Sequence, residues 1–466
     1  MTLIKSISGI RGTIGEKVGE DLTPADVRKY SAAYLAWLKG SKKKNKISII
    51  IGRDARISGQ MIRDIVAETA GKMGVHVIDV GLATTPTVEM AVTDHKADGG
   101  IIITASHNPK NWNALKLLNK KGEFISADDG VKILCIAEYE KDISFESEDN
   151  GTIEINDSAL EKHIQKILEL PLVDRKAISS ARFCVAIDAV NSVGGIAIPA
   201  LLEALGVSKI EKIHCEPNGL FPHNPEPLPG HLEDISKLVL KSKANVGFAV
   251  DPDVDRLAII CENGEMFGEE YTLVAVADYI LKNKRGNTVS NLSSTRALHD
   301  VTEKNGGKYF ASAVGEVNVV EMMKKQNAVI GGEGNGGVIY PELHYGRDAL
   351  VGIALFLSHL AKSGKKCSAL RDEYPSYHIS KNKIELQPEI NVDDVLRRIA
   401  AKYKKQPLIT IDGVKIEFGS DWVHLRKSNT EPVIRIYSES DSETKSETLA
   451  RKFIQDIREI ISNTED

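Results

Sequence analysis

Short apolar runs and helix-like stretches alternate along the first three quarters of the chain. Runs ended by glycine or polar residues are typical of buried strands, and apolar positions recurring every three or four residues are typical of helices. The strand-like runs are 47–51, 75–80, 99–104, 182–187, 246–250, 288–292 and 328–330, and the helix-like stretches are 61–73, 194–205 and 297–305. This alternation predicts an α/β protein built from βαβ units with largely parallel sheets.

The last quarter of the chain follows a different pattern. Residues 391–403 and 444–461 favour helices, whereas 409–418, 422–425 and 433–437 favour strands. We therefore predict three related mixed α/β domains followed by an α+β domain. Turn-rich points suggest boundaries that give domains of 1–150, 151–260, 261–375 and 376–466.

Composition narrows the class of protein. The 466 residues are 42% hydrophobic and 27% charged, as in an ordinary soluble protein, and the net charge of −5 argues against nucleic acid as a partner. The five cysteines have no CxxC spacing, so reduced thiols and a cytoplasmic location are expected. Neither a signal peptide nor an apolar run of ~18 residues is recognisable, so no membrane partner is expected.

Three of the predicted strands lead into unusual loops. These loops are 104–108, 251–256 and 331–337. Ligands of open α/β sheets bind beyond the carboxyl ends of the strands. We therefore expect the chemistry of this protein to lie in these loops.

The first loop offers a hydroxyl nucleophile, Ser106. A serine in this position is more often a capping residue, but His107 adds a hydrogen-bonding ring and Pro109 stiffens the exit. The surroundings do not match a GxSxG elbow, which disfavours acyl transfer. Lys116, ten residues on, can neutralise a phosphate or move a proton.

The second loop, Asp-Pro-Asp-Val-Asp-Arg, is the strongest local signal. Asp251, Asp253 and Asp255 would repel one another unless a cation binds them. Oxygen ligands without interleaved His or Cys favour Mg²⁺ over Zn²⁺, and Arg256 can hold a phosphate beside the metal. An EF-hand is excluded because Arg256 occupies the position that requires glycine. A solvated acidic turn is the alternative, but apolar residues flank the cluster on both sides.

Two further segments are candidates for substrate binding. Residues 331–337 hold five glycines, which allow close approach of the backbone to a ligand, with Glu333 and Asn335 available for sugar hydroxyls. They lack the GxGxxG spacing and the P-loop lysine, so nucleotide binding is not supported. Near the C-terminal end, a cation is followed by three hydrogen-bonding side chains. This pattern predicts a site that binds an anion, an anion clamp, formed by Arg426, Ser428, Asn429 and Thr430. Simple turns are the alternative for both segments.

Taken in order, these segments resemble the α-D-phosphohexomutase family over nearly the whole chain. TASHNP, with Asn113 and Lys116 downstream, resembles the family's active-site serine loop, and DPDVDR its metal loop. GEGNGG resembles the sugar-specificity loop and RKSNTEP the phosphate-binding loop. The segment 8–12 resembles the N-terminal segment whose arginine, here Arg11, faces the serine, and 52–54 is another matching segment.

The resemblance implies a fold and a reaction. It implies four domains around a central cleft, a phosphoserine at Ser106, and Mg²⁺ held by the three aspartates together with an oxygen of that phosphoserine. Phosphate would pass between O6 and O1 of a hexose through a hexose 1,6-bisphosphate, which also activates the enzyme. Arg256 and the clamp residues would bind phosphate, Glu333 and Asn335 would bind sugar hydroxyls, and Lys116, Arg11 and His107 would assist catalysis at Ser106.

The chain departs from the family pattern at the sugar loop. Gly337 stands where many members have a histidine proposed as the acid/base, and Ala114 stands where NGxK members have glycine. The loop resembles the archaeal-type branch, and we predict phosphoglucosamine mutase activity, with a phosphoglucomutase/phosphomannomutase of broad specificity as the alternative. Lys116 or another residue would then carry more of the proton transfer. A monomer or a homodimer is expected.

Three other functions remain open from the sequence. A metal-dependent phosphatase would lose the intermediate to water, although the clamp and the several domains argue against it. An aspartyl phosphotransferase of DxDx[TV] type is weakened by Asp255 at the Thr/Val position. A sugar-phosphate sensor without catalysis is supported only by Gly337.

Overall fold

A computed structural model describes residues 2–6, 9–42, 46–139, 150–387, 390–427 and 433–462. The chain divides into two compact units. Unit 1 comprises residues 1–272 and 335–371, and unit 2 comprises residues 273–334 and 372–466. Each unit is described by itself.

The N-terminal part of unit 1 is a mixed sheet covered by helices. Its elements are β1 (Ile4–Ser6), β2 (Gly9–Thr13), α1 (Pro24–Lys42), β3 (Ser48–Arg53), α2 (Gly59–Lys72), β4 (His76–Leu82), α3 (Thr85–Asp94), β5 (Gly99–Ile103), β6 (Trp112–Leu118), α4 (Ala127–Tyr139) and β7 (Ile153–Ile155). The strand order is β1-β2-β6-β5-β3-β4-β7. β3 pairs in parallel with β4 and β5, whereas β6 is antiparallel to both β5 and β2.

Alternation along β3 explains how this sheet is buried on both faces. Ile49 and Ile51 contribute to the core that also contains Tyr30 and Leu35 of α1, while Ile50 points to the opposite core with Val88 of α3. A strand apolar on both faces reads as a continuous run, which is why the pattern 47–51 predicted it.

The second sheet of unit 1 is smaller and carries the loop with the three aspartates. Its elements are α5 (Ala159–Glu169), α6 (Arg175–Ala181), β8 (Cys184–Asp188), α7 (Gly194–Leu205), β9 (Lys209–Ile213), a 3-10 helix (Pro229–His231), α8 (Glu233–Ser242), β10 (Val246–Val250) and β11 (Leu257–Cys261). The strand order is β11-β10-β8-β9. β10 is parallel to β8 and antiparallel to β11, so β10 and β11 form a hairpin closed by residues 251–256.

The next stretch of chain is shared by the two units. Its elements are α9 (Glu269–Asn283), β12 (Asn287–Asn291), α10 (Ala297–Lys304), β13 (Tyr309–Ser312), α11 (Glu316–Gln326), β14 (Ala328–Glu333), β15 (Gly337–Ile339), α12 (Ala349–Ser363) and α13 (Cys367–Arg371). In unit 2, β12 pairs in parallel with β13 and β14. In unit 1, α12 is buried along most of its length and is capped by the side chain of Asp348.

The C-terminal part of unit 2 is an antiparallel sheet backed by two helices. Its elements are β16 (His378–Glu385), α14 (Val392–Lys402), β17 (Leu408–Ile409), β18 (Val414–Phe418), β19 (Asp421–Lys427), β20 (Val433–Ser440) and α15 (Glu443–Ser462). The order is β16-β20-β19-β18-β17, and Phe453 and Ile457 of α15 enter the core.

One predicted strand and one predicted loop differ from the structure. The strand predicted at 409–418 is two strands, because Gly413 adopts φ of +68° in the turn between them. The predicted loop 331–337 is loop only from Gly334, since β14 continues through Glu333. Among the described residues, no helix combines the length and the apolar character that a membrane span requires.

Candidate active site

Ser106 lies in a tight loop directly after β5. Its backbone adopts φ of +49°, a left-handed conformation that costs a non-glycine residue roughly 1–2 kcal/mol. The Ser106 N–H donates to Thr104 Oγ1 (2.9 Å), whose hydroxyl donates to Asp54 Oδ2 (2.6 Å). The hydroxyl of Ser106 itself donates to Asp251 Oδ2 at 2.8 Å. The loop therefore aims Ser106 at the aspartate hairpin.

The buried side chain of Arg56 stabilises this loop. Its guanidinium pairs with Asp54 at 3.0 Å. It also donates to the carbonyl oxygens of four loop residues at distances of 2.6–2.9 Å, namely Ser106, Asn108, Pro109 and Trp112. A planar fork of five N–H donors can satisfy such a set where a lysine cannot.

The three aspartates of the 251–256 turn converge. Their side chains are fully buried, and one oxygen of each lies within 4.8 Å of the others. Asp251 Oδ1 accepts the N–H groups of Asp255 and Arg256, which closes the turn, and Val254 adopts φ of +63° within it. From α3, Thr85 donates its hydroxyl to Asp253 Oδ2 at 2.6 Å.

The carboxylates strongly affect one another's charge. Burial, followed by the charges of Asp255 and Asp253, raises the pKa of Asp251 well above its ordinary value. Burial would also raise the pKa of Asp253, but the ammonium of Lys116 outweighs it and lowers that pKa. The Oδ1 atoms of Asp253 and Asp255 are buried and, in the described part of the chain, have no hydrogen-bond partner. Such a donor set favours a cation.

Lys116 projects from β6 onto this cluster. Its Nζ donates to Asp253 Oδ2 at 2.7 Å and to Asp255 Oδ2 at 3.3 Å. Burial alone would lower the pKa of Lys116, but the two carboxylates outweigh it and raise the pKa. Lys116 is therefore an ammonium at neutral pH and can donate, rather than accept, a proton.

Further cations lie close enough to affect His107, the neighbour of Ser106. The Nε atoms of Arg11 and Arg256 are buried and have no hydrogen-bond partner within the described ranges. Burial and the charge of Arg256 lower the pKa of Arg11. The His107 ring lies 3.3 Å from Ser106 Oγ, and burial together with Arg256, Arg11 and Arg347 lowers its pKa well below the usual value. The surroundings of Ser106 are thus suited to an anion.

Arg347 occupies the space beside Gly337. Its guanidinium donates to Asp255 Oδ2 at 2.8 Å. A Cβ built on Gly337 would lie 2.4 Å from Cδ of Arg347, so any side chain at 337 would collide with the arginine stem. The glycine that departs from the family pattern therefore makes room for a cation bound to the aspartate cluster.

Glu333 and Asn335, which were predicted to bind sugar hydroxyls, form hydrogen bonds to nearby protein groups. In unit 2, Glu333 is 5% exposed and accepts from Asn291 Nδ2 (2.9 Å) and the Gly315 N–H (3.1 Å). In unit 1, Asn335 Oδ1 accepts the Gly337 N–H at 3.3 Å.

The described part of the predicted anion clamp lies on the sheet of unit 2. Arg426 of β19 is opposite Arg435 of β20, which in turn is opposite Lys383 of β16. Like charges placed opposite one another repel unless an anion or another partner compensates them. Arg426 Nε lies 3.6 Å from Asp412 Oδ2, and the predicted residues Ser428, Asn429 and Thr430 lie outside the described residues.

Sequence reasoning missed three residues that build this site. Arg56 lies two residues beyond the recognised segment 52–54, so its position gave a weak signal. Thr85 and Arg347 lie in segments without a local motif, and only the tertiary structure brings them to the aspartates.

Comparison with known proteins assigns the chain to a family. Models of phosphoglucomutase/phosphomannomutase domains match it in succession: α/β/α domain I at 3–143, α/β/α domain II at 161–264, α/β/α domain III at 268–377 and the C-terminal domain at 384–455. The predicted fold class, three α/β domains followed by a further C-terminal domain, is thereby confirmed.

Individual relatives match over nearly their full length. A phosphoglucomutase/phosphomannomutase of Thermococcus kodakarensis is 35% identical over 456 residues, covering 96% of each chain. A phosphoglucosamine/phosphogalactosamine mutase of Sulfurisphaera tokodaii is 32% identical over 97% of this chain and 98% of the relative. The crystal structure of a phosphoglucomutase/phosphomannomutase family protein from Burkholderia thailandensis superposes with a TM-score of 0.83 at 25% identity, covering 98% of both chains. With every domain matched in order, this chain belongs to the α-D-phosphohexomutase family of isomerases, as its motifs predicted.

Proposed function

We propose that this protein interconverts hexose 6-phosphate and hexose 1-phosphate through a phosphorylated Ser106. The observation that carries the proposal is the 2.8 Å hydrogen bond from Ser106 Oγ to Asp251, one of three fully buried aspartates. A hydroxyl that is hydrogen-bonded to carboxylates able to hold a cation is suited to phosphoryl transfer, which depends on positioning and charge stabilisation.

The residues fit a bound Mg²⁺. The donor set consists of oxygen atoms only, and two of these, Oδ1 of Asp253 and of Asp255, are buried without another partner in the described structure. Asp251, Asp253, Asp255 and an oxygen of phosphorylated Ser106 would hold the ion. When bound, Mg²⁺ would supply positive charge that neutralises the transferring phosphoryl group.

The protein's own groups account for the transfer steps. Phosphorylated Ser106 gives its phosphoryl group to one sugar hydroxyl: the P–Oγ bond breaks, a P–O bond to the sugar forms, and the hydroxyl proton ends on Ser106 Oγ. The bisphosphorylated sugar then reorients, and its other phosphate returns to Ser106. His107, 3.3 Å from Oγ, and Lys116 are the groups we assign to hydrogen bonding and proton movement there.

Substrate binding is assigned to the cationic and sugar-facing residues. Arg11 and Arg256 have buried N–H groups available for a phosphate. Arg426, Ser428, Asn429 and Thr430 are proposed to bind the phosphate that does not react, and Glu333 and Asn335 to bind sugar hydroxyls.

We propose glucosamine phosphate as the preferred sugar, which the relative from Sulfurisphaera tokodaii supports. The relative from Thermococcus kodakarensis instead favours the alternative, a phosphoglucomutase/phosphomannomutase of broad specificity.

A coupled mutase assay tests the function and the sugar together. With Mg²⁺ and a trace of hexose 1,6-bisphosphate, kcat/KM is measured for glucosamine 6-phosphate, glucose 1-phosphate and mannose 1-phosphate. We expect a preference of ~10-fold or more for glucosamine phosphate, equivalent to about 1.4 kcal/mol. Similar values would establish broad specificity.

Two controls separate the other functions. A phosphatase would release inorganic phosphate and would not be stimulated by the bisphosphate. Binding of sugar phosphate with Mg²⁺ but without turnover would identify a sensor. Ser106→Ala must abolish turnover, because retained activity would refute Ser106 as the phosphate carrier.

A further inference from the structure

A second group of potential metal ligands lies in the second α/β domain. Asp188 is the last residue of β8, His214 directly follows β9, and His223 lies in the loop beyond it. Asp188 Oδ2 is 3.0 Å from His214 Nδ1 and 3.1 Å from His223 Nε2. One ligand atom from each of the three residues lies within 4.8 Å of the others.

The hydrogen positions on His223 require a positive charge in this group. Its Nδ1 lies 2.8 Å from the carbonyl oxygen of Asn224. A carbonyl can only accept, so Nδ1 carries the proton, and a neutral ring then directs the lone pair of Nε2 at a carboxylate oxygen. Two lone pairs 3.1 Å apart repel, so a cation, either a second ring proton or a metal ion, has to lie between them.

The outer contact of His223 matches that of a metal-bound histidine. Such histidines usually direct their second ring nitrogen at a carbonyl or carboxylate, which fixes the ring. His223 does so with Asn224, whereas His214 Nε2 lies 3.9 Å from Asp234 Oδ2, beyond hydrogen-bond distance. Asp188 is fixed as well, because its Oδ1 accepts the Val190 N–H at 2.9 Å.

The spacing suits a tetrahedral ion. Zinc bonds of about 2.0–2.2 Å to nitrogen and oxygen place neighbouring ligand atoms roughly 3.3–3.6 Å apart. The observed 3.0 and 3.1 Å are close to that separation. The histidine side chains are 17% and 16% exposed, so an ion can enter and keep a water molecule as its fourth ligand.

We propose that Asp188, His214 and His223 form a binding site for a first-row transition-metal dication, with Zn²⁺ the ion that suits them. Two imidazoles and one carboxylate favour Zn²⁺ over Mg²⁺, which prefers oxygen ligands throughout. The neighbouring Cys215 directs its thiol at the carbonyl oxygen of Ile213, at 3.2 Å.

The site would fix a loop that reaches the phosphate-binding residues. The loop starts at His214, contains His223 and continues to Glu226, whose carboxylate pairs with Arg256 at 3.3 Å. An ion joining this loop to the end of β8 would stabilise the folded domain, as does any ligand that binds only the native state.

Equilibrium dialysis with Zn²⁺ tests the proposal on the full-length protein. A large excess of Mg²⁺ is present throughout, so that it competes at the Asp251 cluster. We expect one equivalent of Zn²⁺ bound by the wild type, and binding weakened by at least about 10-fold in His223→Gln and in His214→Gln. A matched control is His76→Gln, since His76 is a half-exposed histidine that also lies beside a carboxylate, that of Glu154 at 3.5 Å; it should leave the affinity unchanged.

Thermal unfolding and one further variant complete the test. Zn²⁺ should raise the Tm of the wild type and not that of His223→Gln, whose fold is checked by circular dichroism. Asp253→Asn should retain the bound Zn²⁺. The proposal is overturned if Asp253→Asn loses the zinc, if His223→Gln binds it as tightly as the wild type, or if the wild type binds none, which would leave a doubly protonated His223 as the cation.

Discussion

At the scale of single residues, charge is concentrated where water is excluded. Asp251, Asp253 and Asp255 expose no surface, and Lys116 is 6% exposed. Buried charges are stable only when they are paired or bind an ion. The balance between the aspartates and the cations around them therefore decides both the stability of the site and its chemistry.

The first prediction concerns Asp253. Asp253→Asn removes one proposed metal ligand and one partner of Lys116, so we expect kcat to fall by roughly 10³-fold or more, since metal-ion charge stabilisation contributes several kcal/mol. Steady-state kinetics at saturating Mg²⁺ measures this. Asp64→Asn, an exposed aspartate paired with Arg63, is the control and should keep wild-type turnover. Near-normal kcat in Asp253→Asn would refute the metal assignment.

The second prediction concerns Arg347 and Gly337. Arg347→Met keeps most of the aliphatic side chain but removes the guanidinium that donates to Asp255. We expect kcat/KM to fall roughly 10²-fold, as when one preorganised hydrogen-bond donor is lost. The reaction is followed in the coupled mutase assay. Wild-type kcat/KM would show that Arg347 only fills space.

Stability measurements test the steric fit between Gly337 and Arg347 separately from the charge of Arg347. Gly337→Ala should destabilise the protein because the new Cβ would clash with the aliphatic part of the Arg347 side chain. The same substitution should lower the free energy of unfolding less in the Arg347→Ala background, where those atoms are absent. A coupling of about 0.5–3 kcal/mol in a double-mutant cycle of unfolding free energies is expected. Additive effects would contradict the steric account.

At the scale of elements, the Ser106 loop depends on Arg56 for its shape. The left-handed conformation at Ser106 is unfavourable by itself, and the guanidinium compensates by binding four loop carbonyl oxygens. Ser106, the proposed nucleophile, therefore lies in the loop after β5, and the buried Arg56 from the loop after β3 stabilises the conformation of that loop.

The third prediction follows from this loop. Arg56→Met leaves the carboxylate of Asp54 buried without its cation, so we expect a loss of about 3–5 kcal/mol in unfolding free energy and a reduced kcat. Denaturant unfolding and the mutase assay give the two values. Arg53→Lys is the control, since Arg53 is partly exposed and bonds to Asp54 O and Gln60. Equal losses in both variants would contradict the role of Arg56.

At the scale of the molecule, a buried ionic cluster joins helices from distant parts of the sequence within unit 1. His344 lies between Glu89 of α3 (3.4 Å) and Asp348, the cap of α12 (3.3 Å), and Asp348 also contacts His163 of α5 at 2.9 Å. Burial alone would lower the pKa of His344, but the hydrogen bonds to Asp348 and Glu89 outweigh it and raise the pKa to about 10.

The fourth prediction is a pH dependence of stability. The folded protein keeps a proton on His344 that the unfolded chain releases near pH 6.5, so the stabilisation is complete below that pH and is lost as the pH rises towards about 10. We expect His344→Gln to remove up to about 1.4 kcal/mol per pH unit from the slope of unfolding free energy over that window.

Denaturant unfolding at several pH values between 6 and 10 measures the slope. His76→Gln, which removes a partly exposed histidine, should leave the slope unchanged. An unchanged slope in His344→Gln would show that His344 does not carry the additional proton.

Part of this protein could be predicted from the sequence alone. Apolar runs located strands such as β3 and β10, because a strand buried on both faces usually has apolar side chains throughout. Turn chemistry was harder, and Gly413 split a strand that the pattern had joined. Ser106 and the aspartates were recognisable as candidates because their spacing is local: Ser106 lies in the loop directly after one strand, and the carboxylates alternate directly after another.

The sequence by itself thus determined the fold class, the family and the residues that lie within short motifs. Only the tertiary structure decided which distant residues complete them: Arg56 beneath the serine loop, Thr85 and Arg347 at the aspartates, and the histidines beside Asp188. The reason is physical. A motif is set by backbone spacing along one strand end, whereas the partner of a buried charge is chosen by packing, which brings together residues that no local pattern connects.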